Sequence, residues 1–200
     1  MLIIVLLTAC APVRPKLLGE RMSQGFTDEL LREWSERSAQ IFSVQGLAKV
    51  KVSTPENSLN GTQVILAEKP DRLRAETLSP FGSPLLLLAA DGENLGVLLP
   101  SQNLYYTGIA SPANLGRFVR LPLHLSDLVS VLLYQPPMVK SWSEETFALQ
   151  DGGYLLVRTG SMRRQELTFN HARQLVEVGY FDRDKLLLKI TYGKFSQEEG

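Results

Sequence analysis

The sequence predicts a mainly β, α+β fold: an antiparallel meander of about eleven strands, with one helix ahead of it and a helical stretch inserted midway. Three observations lead there. Short segments of period-two hydrophobicity recur along the chain. Turn residues separate them at short intervals, so neighbouring segments pair antiparallel. Long helices do not alternate with the strands, which argues against a parallel nucleotide-binding sheet. The 200 residues are 44% hydrophobic and 21% charged, the range of an ordinary single globular domain. A domain of that size buries roughly 70% of the surface its unfolded chain exposes, enough for a core without metals or disulfides.

The chain opens with Met1 to Ala9, M-L-I-I-V-L-L-T-A, apolar except for Thr8. This stretch falls far short of the roughly 20 residues of a spanning helix, and it matches the apolar region and small-residue end of a secretory signal. Leu7-Thr8-Ala9-Cys10 resembles the bacterial lipobox, in which the cysteine is lipidated on sulfur, the leader is removed and the new amino terminus is acylated. The resemblance makes residues 1–9 a signal peptide, Cys10 the lipid attachment site with palmitate among its chains, and residues 10–26 a lipidated tether. Pro12 and Pro15 disfavour helix in that tether. Each buried methylene contributes about 0.8 kcal/mol and one acyl chain binds only marginally, so several chains on one residue make a durable anchor. Leu2 follows Met1 with no lysine or arginine before the apolar stretch, which leaves a start upstream open. Ala11 stands where inner-membrane lipoproteins of two-membrane bacteria usually carry aspartate, which by resemblance implies the outer membrane.

From Thr27 to Phe42, Leu30, Leu31, Trp34, Ile41 and Phe42 fall near helical spacing among charged residues, an amphipathic helix capped by Thr27. Interleaved acidic residues favour packing on protein over a membrane surface. After Gly46 the period becomes two, with Val44, Gly46, Ala48, Val50 and Val52 on one face. Further strands are expected at 62–68, 72–78, 84–90, 94–99 and 103–108, with turns at Asn60-Gly61, Lys69-Pro70-Asp71, Asp91-Gly92 and Pro100-Ser101. Between Ser111 and Pro137 the leucines recur at helical spacing from Leu121 to Leu133, almost uncharged apart from Asp127, so this helix must lie on an apolar surface. The meander resumes at 146–150, 154–159, 164–169, 174–181 and 186–192.

Lysine plus arginine equals aspartate plus glutamate, 21 each, so no strong field favours nucleic acid. The two histidines, His124 and His171, have no cysteine partner or metal-ligand spacing. No serine stands in G-x-S-x-G, and Glu144-Glu145 and Glu198-Glu199 read as solvated surface pairs. Gly92 and Gly96 bracket a hairpin and make no phosphate cradle. The expectation is a monomeric protein that is not an enzyme and has no cofactor or metal.

The informative stretch is Leu78-Ser79-Pro80-Phe81-Gly82-Ser83-Pro84. Pro80 and Gly82 fix a tight turn with Phe81 at its tip, where polar residues are the rule. Either Phe81 folds back on the core, or it projects as a wedge into an acyl phase, where burying an aromatic is worth roughly 1.5 to 3 kcal/mol.

In order, the lipobox, amphipathic helix, G-x-A-x-V strand, D-R-x-R at Asp71 to Arg74, S-P-F-G-S turn, D-G hairpin, L-Y-Y strand and L-P-L-x-L-x-D-L resemble the LolB family of outer-membrane lipoprotein receptors. More broadly they resemble the LolA/LolB superfamily of lipoprotein carriers. The resemblance spans roughly Leu30 to Pro137 well and the later strands weakly. It implies a curved antiparallel sheet forming an incomplete β-barrel lidded by helices, over residues 27–200, with an apolar cavity for acyl chains. It implies acylated lipoprotein cargo, a periplasmic LolA-like carrier, a periplasm-facing place on the outer membrane, and a chaperone-like role. It places Phe81, flanked by Pro80 and Gly82, at the position that pushes cargo into the membrane. The family pattern runs on past Tyr192-Gly193-Lys194-Phe195 into two more strands, so the domain is expected to be incomplete or divergent toward Gly200.

A curved sheet with apolar residues on both faces, such as Pro84 to Ala90, under a leucine helix could enclose an acyl-sized pocket lined by Leu66, Leu85, Leu87, Val97, Leu128 and Leu132. A filled core would use the same residues. The function expected is therefore acceptance and membrane insertion of acylated lipoproteins; the alternative is a structural or interaction lipoprotein with a packed core and a protein partner.

Overall fold

In the computed structural model, which describes residues 18–53, 58–119 and 123–193, the strands fall into two six-stranded antiparallel sheets. The chain runs through β1 (Leu18–Arg21) and α1 (Gln24–Ala39). It then enters a hairpin meander of β2 (Ser43–Ser53), β3 (Ser58–Glu68), β4 (Arg72–Leu78), β5 (Pro84–Asp91), β6 (Asn94–Leu99) and β7 (Leu104–Ile109), paired in that order. Helices α2 (Pro112–Val119) and α3 (Leu125–Leu132) follow. The second sheet takes β8 (Ser143–Leu149), β9 (Tyr154–Thr159), β10 (Arg163–Phe169), β11 (Leu175–Asp182) and β12 (Lys185–Thr191), with β1 beside β8. Among the described residues no ladder joins the two sheets, so they form an open, incomplete barrel with helices.

The strand beyond the expected set is β1, which comes within the segment 10–26 and pairs with β8, Leu18 opposite Leu149. The expected single meander is also split in two by the helical segment. Asn60-Gly61, expected as a turn, lies inside β3 opposite Lys51 and Val50, because β2 runs on and the hairpin closes with Ser53 opposite Ser58. Cross-strand pairing over the full ladder outweighs the local turn preference of an Asn-Gly pair.

Helix α1 is capped four residues earlier than the spacing predicts and ends at Ala39, so Ile41 and Phe42 lie beyond it. Ser23 is its cap, accepting from the Phe26 N–H at 3.2 Å. Thr27 lies inside the helix, where its buried hydroxyl meets that of Thr146 on β8 at 2.8 Å. The apolar stripe of α1, Leu30 and Trp34, packs on Leu156, Leu167, Phe169, Leu175 and Val178 of the second sheet. Arg173, in the β10–β11 turn, reaches Glu29 at 3.1 Å and Glu33 at 2.8 Å on the same helix.

The leucine helix expected in the insertion is α3, with Leu121 outside the described residues, and a further helix, α2, precedes it. Pro112 starts α2, and His124, with extended backbone, caps α3. Leu115, Leu125, Leu128, Val129 and Leu133 cover one face of the first sheet, against Ile65, Leu73, Leu88, Leu95 and Val97. An almost uncharged helix pair is stable in this place because that face is apolar throughout.

Side chains from the second sheet tie down the segment that follows α3. Buried Gln165 donates to Pro137 O at 2.9 Å and accepts from the Val139 N–H at 3.1 Å. Three tyrosine hydroxyls donate to main-chain oxygens: Tyr134 to Leu175, Tyr180 to Pro137 and Tyr192 to Val131, at 2.8, 2.8 and 2.9 Å. Burial pushes the Tyr134 hydroxyl up to about 12 and raises those of Tyr180 and Tyr192 well above the usual tyrosine value. An unfolded chain releases these protons near pH 10, while the folded one holds them, so the unfolded state binds fewer protons above that pH. The stability they contribute is whole below about pH 10 and is lost as pH rises toward 12. Far-ultraviolet circular dichroism should therefore show unfolding above pH 10 in step with tyrosinate absorbance. Tyrosinate formation by all six tyrosines with unchanged circular dichroism would contradict it.

Glu144, expected on a solvated surface, is drawn into a pair with Arg158 directly across the β8–β9 ladder, at 2.7 Å, and accepts from the Ser141 hydroxyl at 3.1 Å. Glu145 pairs with Arg21 at 2.8 Å. Cross-strand register brings opposite charges together that adjacency in sequence does not show.

Candidate functional site

The β4–β5 hairpin turns through a three-residue loop, Pro80-Phe81-Gly82, between Ser79 and Ser83. The Ser79 N–H donates to Ser83 O at 2.8 Å, and Gly82 N–H closes back on Ser79 O at 3.0 Å. The Ser79 hydroxyl accepts from the Phe81 N–H at 3.3 Å and the Ser83 N–H at 3.1 Å. Proline presets its own φ, and Gly82 takes φ +82°, where a side chain would strain the backbone. Every N–H of the loop is thus engaged locally, and Phe81 is left at the apex 95% exposed. Of the two placements open in the sequence, folded back or projecting, the ring projects. Holding an aromatic in water has a cost that a loop of this rigidity cannot relieve by collapse.

The residues expected to line an acyl pocket divide between the two faces of the first sheet. Val97 is fully buried beneath Leu128 and Val129 of α3, with Leu132 packed on the same cluster. Leu66, Leu85 and Leu87 alternate with the buried Ile65, Leu88 and Ala67, and so face the opposite way. Among the described residues, side chains pack against each other under α3, and a space of about 60 Å³ remains beside α2 between Leu95, Tyr106, Asn114, Arg117 and Phe118. Larger spaces lie elsewhere. A groove of about 400 Å³ at the β3–β4 turn end has Leu66 in its wall, together with Glu68, Arg72, Arg74 and Asp91. A pocket of about 280 Å³ lies between Trp34, Arg37, Ile41, Tyr134 and Arg173. The indole N–H of Trp34 is buried without a hydrogen-bond partner.

Sequence reading missed the character of the sheet's uncovered face. Ladder pairing sets Leu47, Val64, Glu76, Leu87, Leu98 and Tyr105 in one row across all six strands. Leu47 is 69% exposed, Tyr105 67%, Leu98 38% and, nearer the Phe81 loop, Leu85 45%. Glu76 turns its carboxylate to Arg74, at 2.6 Å. Gly96 lets the Tyr105 ring lie across the strand; a Cβ there would stand 3.0 Å from its hydroxyl. Each of these residues is unremarkable in sequence, and only the register brings them together.

Cys10 and residues 1–9 lie outside the described residues. Among the described residues, no helix is long and apolar enough to cross a membrane, and no group of three or more His, Cys, Asp or Glu could hold a metal ion.

No protein-family model matches the chain, and no curated protein matches it in sequence. Among solved structures it is similar to a chain in the structure of the CwlD amidase from Clostridioides difficile in complex with the GerS lipoprotein. There the identity is 14% and the TM-score 0.35, over 90% of this chain and all (100%) of that one. It is similar also to a domain from Vibrio parahaemolyticus assigned to outer membrane lipoprotein sorting, at 15% identity and TM-score 0.44, over 85% of this chain and 78% of that one.

Proposed function

We propose that this protein is a non-enzymatic lipoprotein, anchored through Cys10 to the outer membrane and facing the periplasm, that accepts acylated lipoproteins from a LolA-like carrier and inserts them. The observation that carries the reading is Phe81, exposed at 95% on a loop whose N–H groups are all engaged within it. An apolar tip on such a hairpin is suited to parting an acyl phase, because the ring gains by leaving water and the loop's N–H groups give up no hydrogen bond in doing so. Acyl chains would take the place of α2 and α3 on the buried face of the first sheet, where Val97 and Leu88 supply an apolar bed. The transfer needs no nucleotide, only a more favourable acyl environment at each step.

The packing of Leu128 and Val129 on Val97 beneath α3 favours a second reading, an interaction lipoprotein with a packed core and a protein partner. One variant and one control separate the two. Phe81→Glu is expected to slow insertion of cargo into liposomes by about tenfold or more, from the lost burial of one aromatic and the added charge. Folding and uptake of labelled cargo from the carrier should stay unchanged. Equal insertion by the variant defeats the wedge, and a folded wild-type chain that takes no cargo from the carrier supports the packed interaction protein.

A further inference from the structure

The uncovered face of the first sheet is graded along β4, β5 and β6, with Phe81 at the apolar end, whereas on the outer strands Lys49 of β2 stands level with Leu78 and Ile109 of β7 lies toward the far end. Nearest the loop lie Leu78 and Leu85, then the row that carries Leu47, Leu98 and Tyr105. Beyond them come Arg74, then Glu68, Arg72 and Asp91 at the far end. The described turns follow the same gradient. At the Phe81 end, Ser79 to Ser83 and Pro100 to Asn103 carry no charge, whereas the far-end turns hold Lys69, Asp71, Asp91 and Glu93.

We infer that this end of the sheet is a membrane-docking surface: the Phe81 loop enters the acyl region of a phospholipid bilayer, and the outer face lies in the headgroup boundary as far as the Leu98–Tyr105 row. The inference rests on the reading of Phe81 as lipid-facing and extends it from one side chain to a surface.

A bilayer fits this pattern better than a protein partner does. A protein interface has an apolar centre ringed by polar groups, but here the apolar area runs off the end of the sheet through an uncharged tip. Charged groups are excluded from lipid and accepted at its surface. On β5, β6 and β7 the outer face carries none before Asp91, while Glu76 in the row is held by Arg74 and Lys49 on β2, level with Leu78, stands at the side of the apolar area. Tyr105, an exposed ring bearing a hydroxyl, has the character of residues that settle at the membrane boundary. Lysine plus arginine balance aspartate plus glutamate in the chain, 21 to 21, so neutral phospholipid suffices and binding should change little with salt.

The test uses the full chain carrying Cys10→Ser, so that an introduced cysteine is its only thiol. An environment-sensitive fluorophore is placed in turn on Phe81→Cys, Leu98→Cys, Tyr105→Cys and Arg72→Cys, with circular dichroism to verify folding, and vesicles of phosphatidylcholine are added. The expected result is a blue shift at Phe81, a smaller one at Leu98 and Tyr105, and none at Arg72. A shift at Phe81 alone overturns the docking surface and leaves the wedge standing. No shift at any position overturns both. A shift at Leu98 and Tyr105 that needs no vesicles and grows with protein concentration assigns the face to a second copy of the chain and overturns the inference. So does a shift of equal size at all four positions.

Discussion

Val129→Asp is expected to lower stability by about 3–5 kcal/mol, the cost of leaving a buried charge without a partner. Val129 is fully buried, at the centre of the contact between α3 and the first sheet. An aspartate there must either stay ionised against Leu88 and Val97 or bind a proton well above its normal range, and both routes favour the separated state. Helix α3 has only eight residues, too few to hold its shape away from the sheet. Urea unfolding should show the midpoint moving down, and a dye that reports exposed apolar surface should brighten before the main transition. A variant with the parent midpoint would mean that α3 is not seated as described. Under the proposed function this change has a second consequence. With the sheet's buried face uncovered, cargo uptake should become faster in the population that stays folded, whereas a packed interaction protein gains nothing.

Phe169→Ala is expected to cost about 3–5 kcal/mol, the usual range for emptying a large aromatic from a core. Phe169 is fully buried on β10, under Leu30 and Trp34 of α1. The cavity adjoins the helix through which α1 holds the second sheet, so the first element to loosen should be α1, visible as faster amide exchange from Leu30 to Trp34. The Phe81 loop belongs to the other sheet and closes on its own hydrogen bonds. Binding to vesicles should therefore survive in the folded fraction. Its loss in step with α1 would mean that the two sheets do not respond separately.

Much of the strand pattern was legible because each segment carries its own period and its own punctuation. Expected and observed bounds agree for β4, β6 and β9, where Lys69-Pro70-Asp71, Asp91-Gly92 and Gly152-Gly153 mark the starts or flanks. What stayed hidden is set by distant partners. β1 has four residues, too few for a period, and exists because β8 offers an edge. The Asn60-Gly61 pair looks like a turn until the length of β2 is known. Helix α2 lies ahead of the leucine run and buries Leu115 alone, so leucine spacing does not announce it.

The candidate site shows the same division. The tight turn and its apex were readable from Pro80 and Gly82. The direction of Phe81 was not, because folding back and projecting use one sequence. Leu66, Leu85 and Leu87 were grouped with Val97 as lining, yet a strand alternates its side chains, and nothing local says which set the helices cover. The row ending at Tyr105 needs five ladder registers at once.

The tyrosine hydroxyls that hold Val131 and Pro137 act at one end of α3 only. Tyr192 grips the last turn of the helix, Tyr180 and Gln165 grip the connector behind it, and at the other end Leu125 is buried in the apolar cluster. Apolar contacts slide and re-form without direction, whereas a hydrogen bond to a carbonyl fixes a point in space. The last turn of α3 is therefore fixed in position by groups on or just past the strands of the second sheet, while its apolar face rests on the first, so a shift of one sheet against the other would fall on the bonds at Val131 and Pro137 before it reached the leucines.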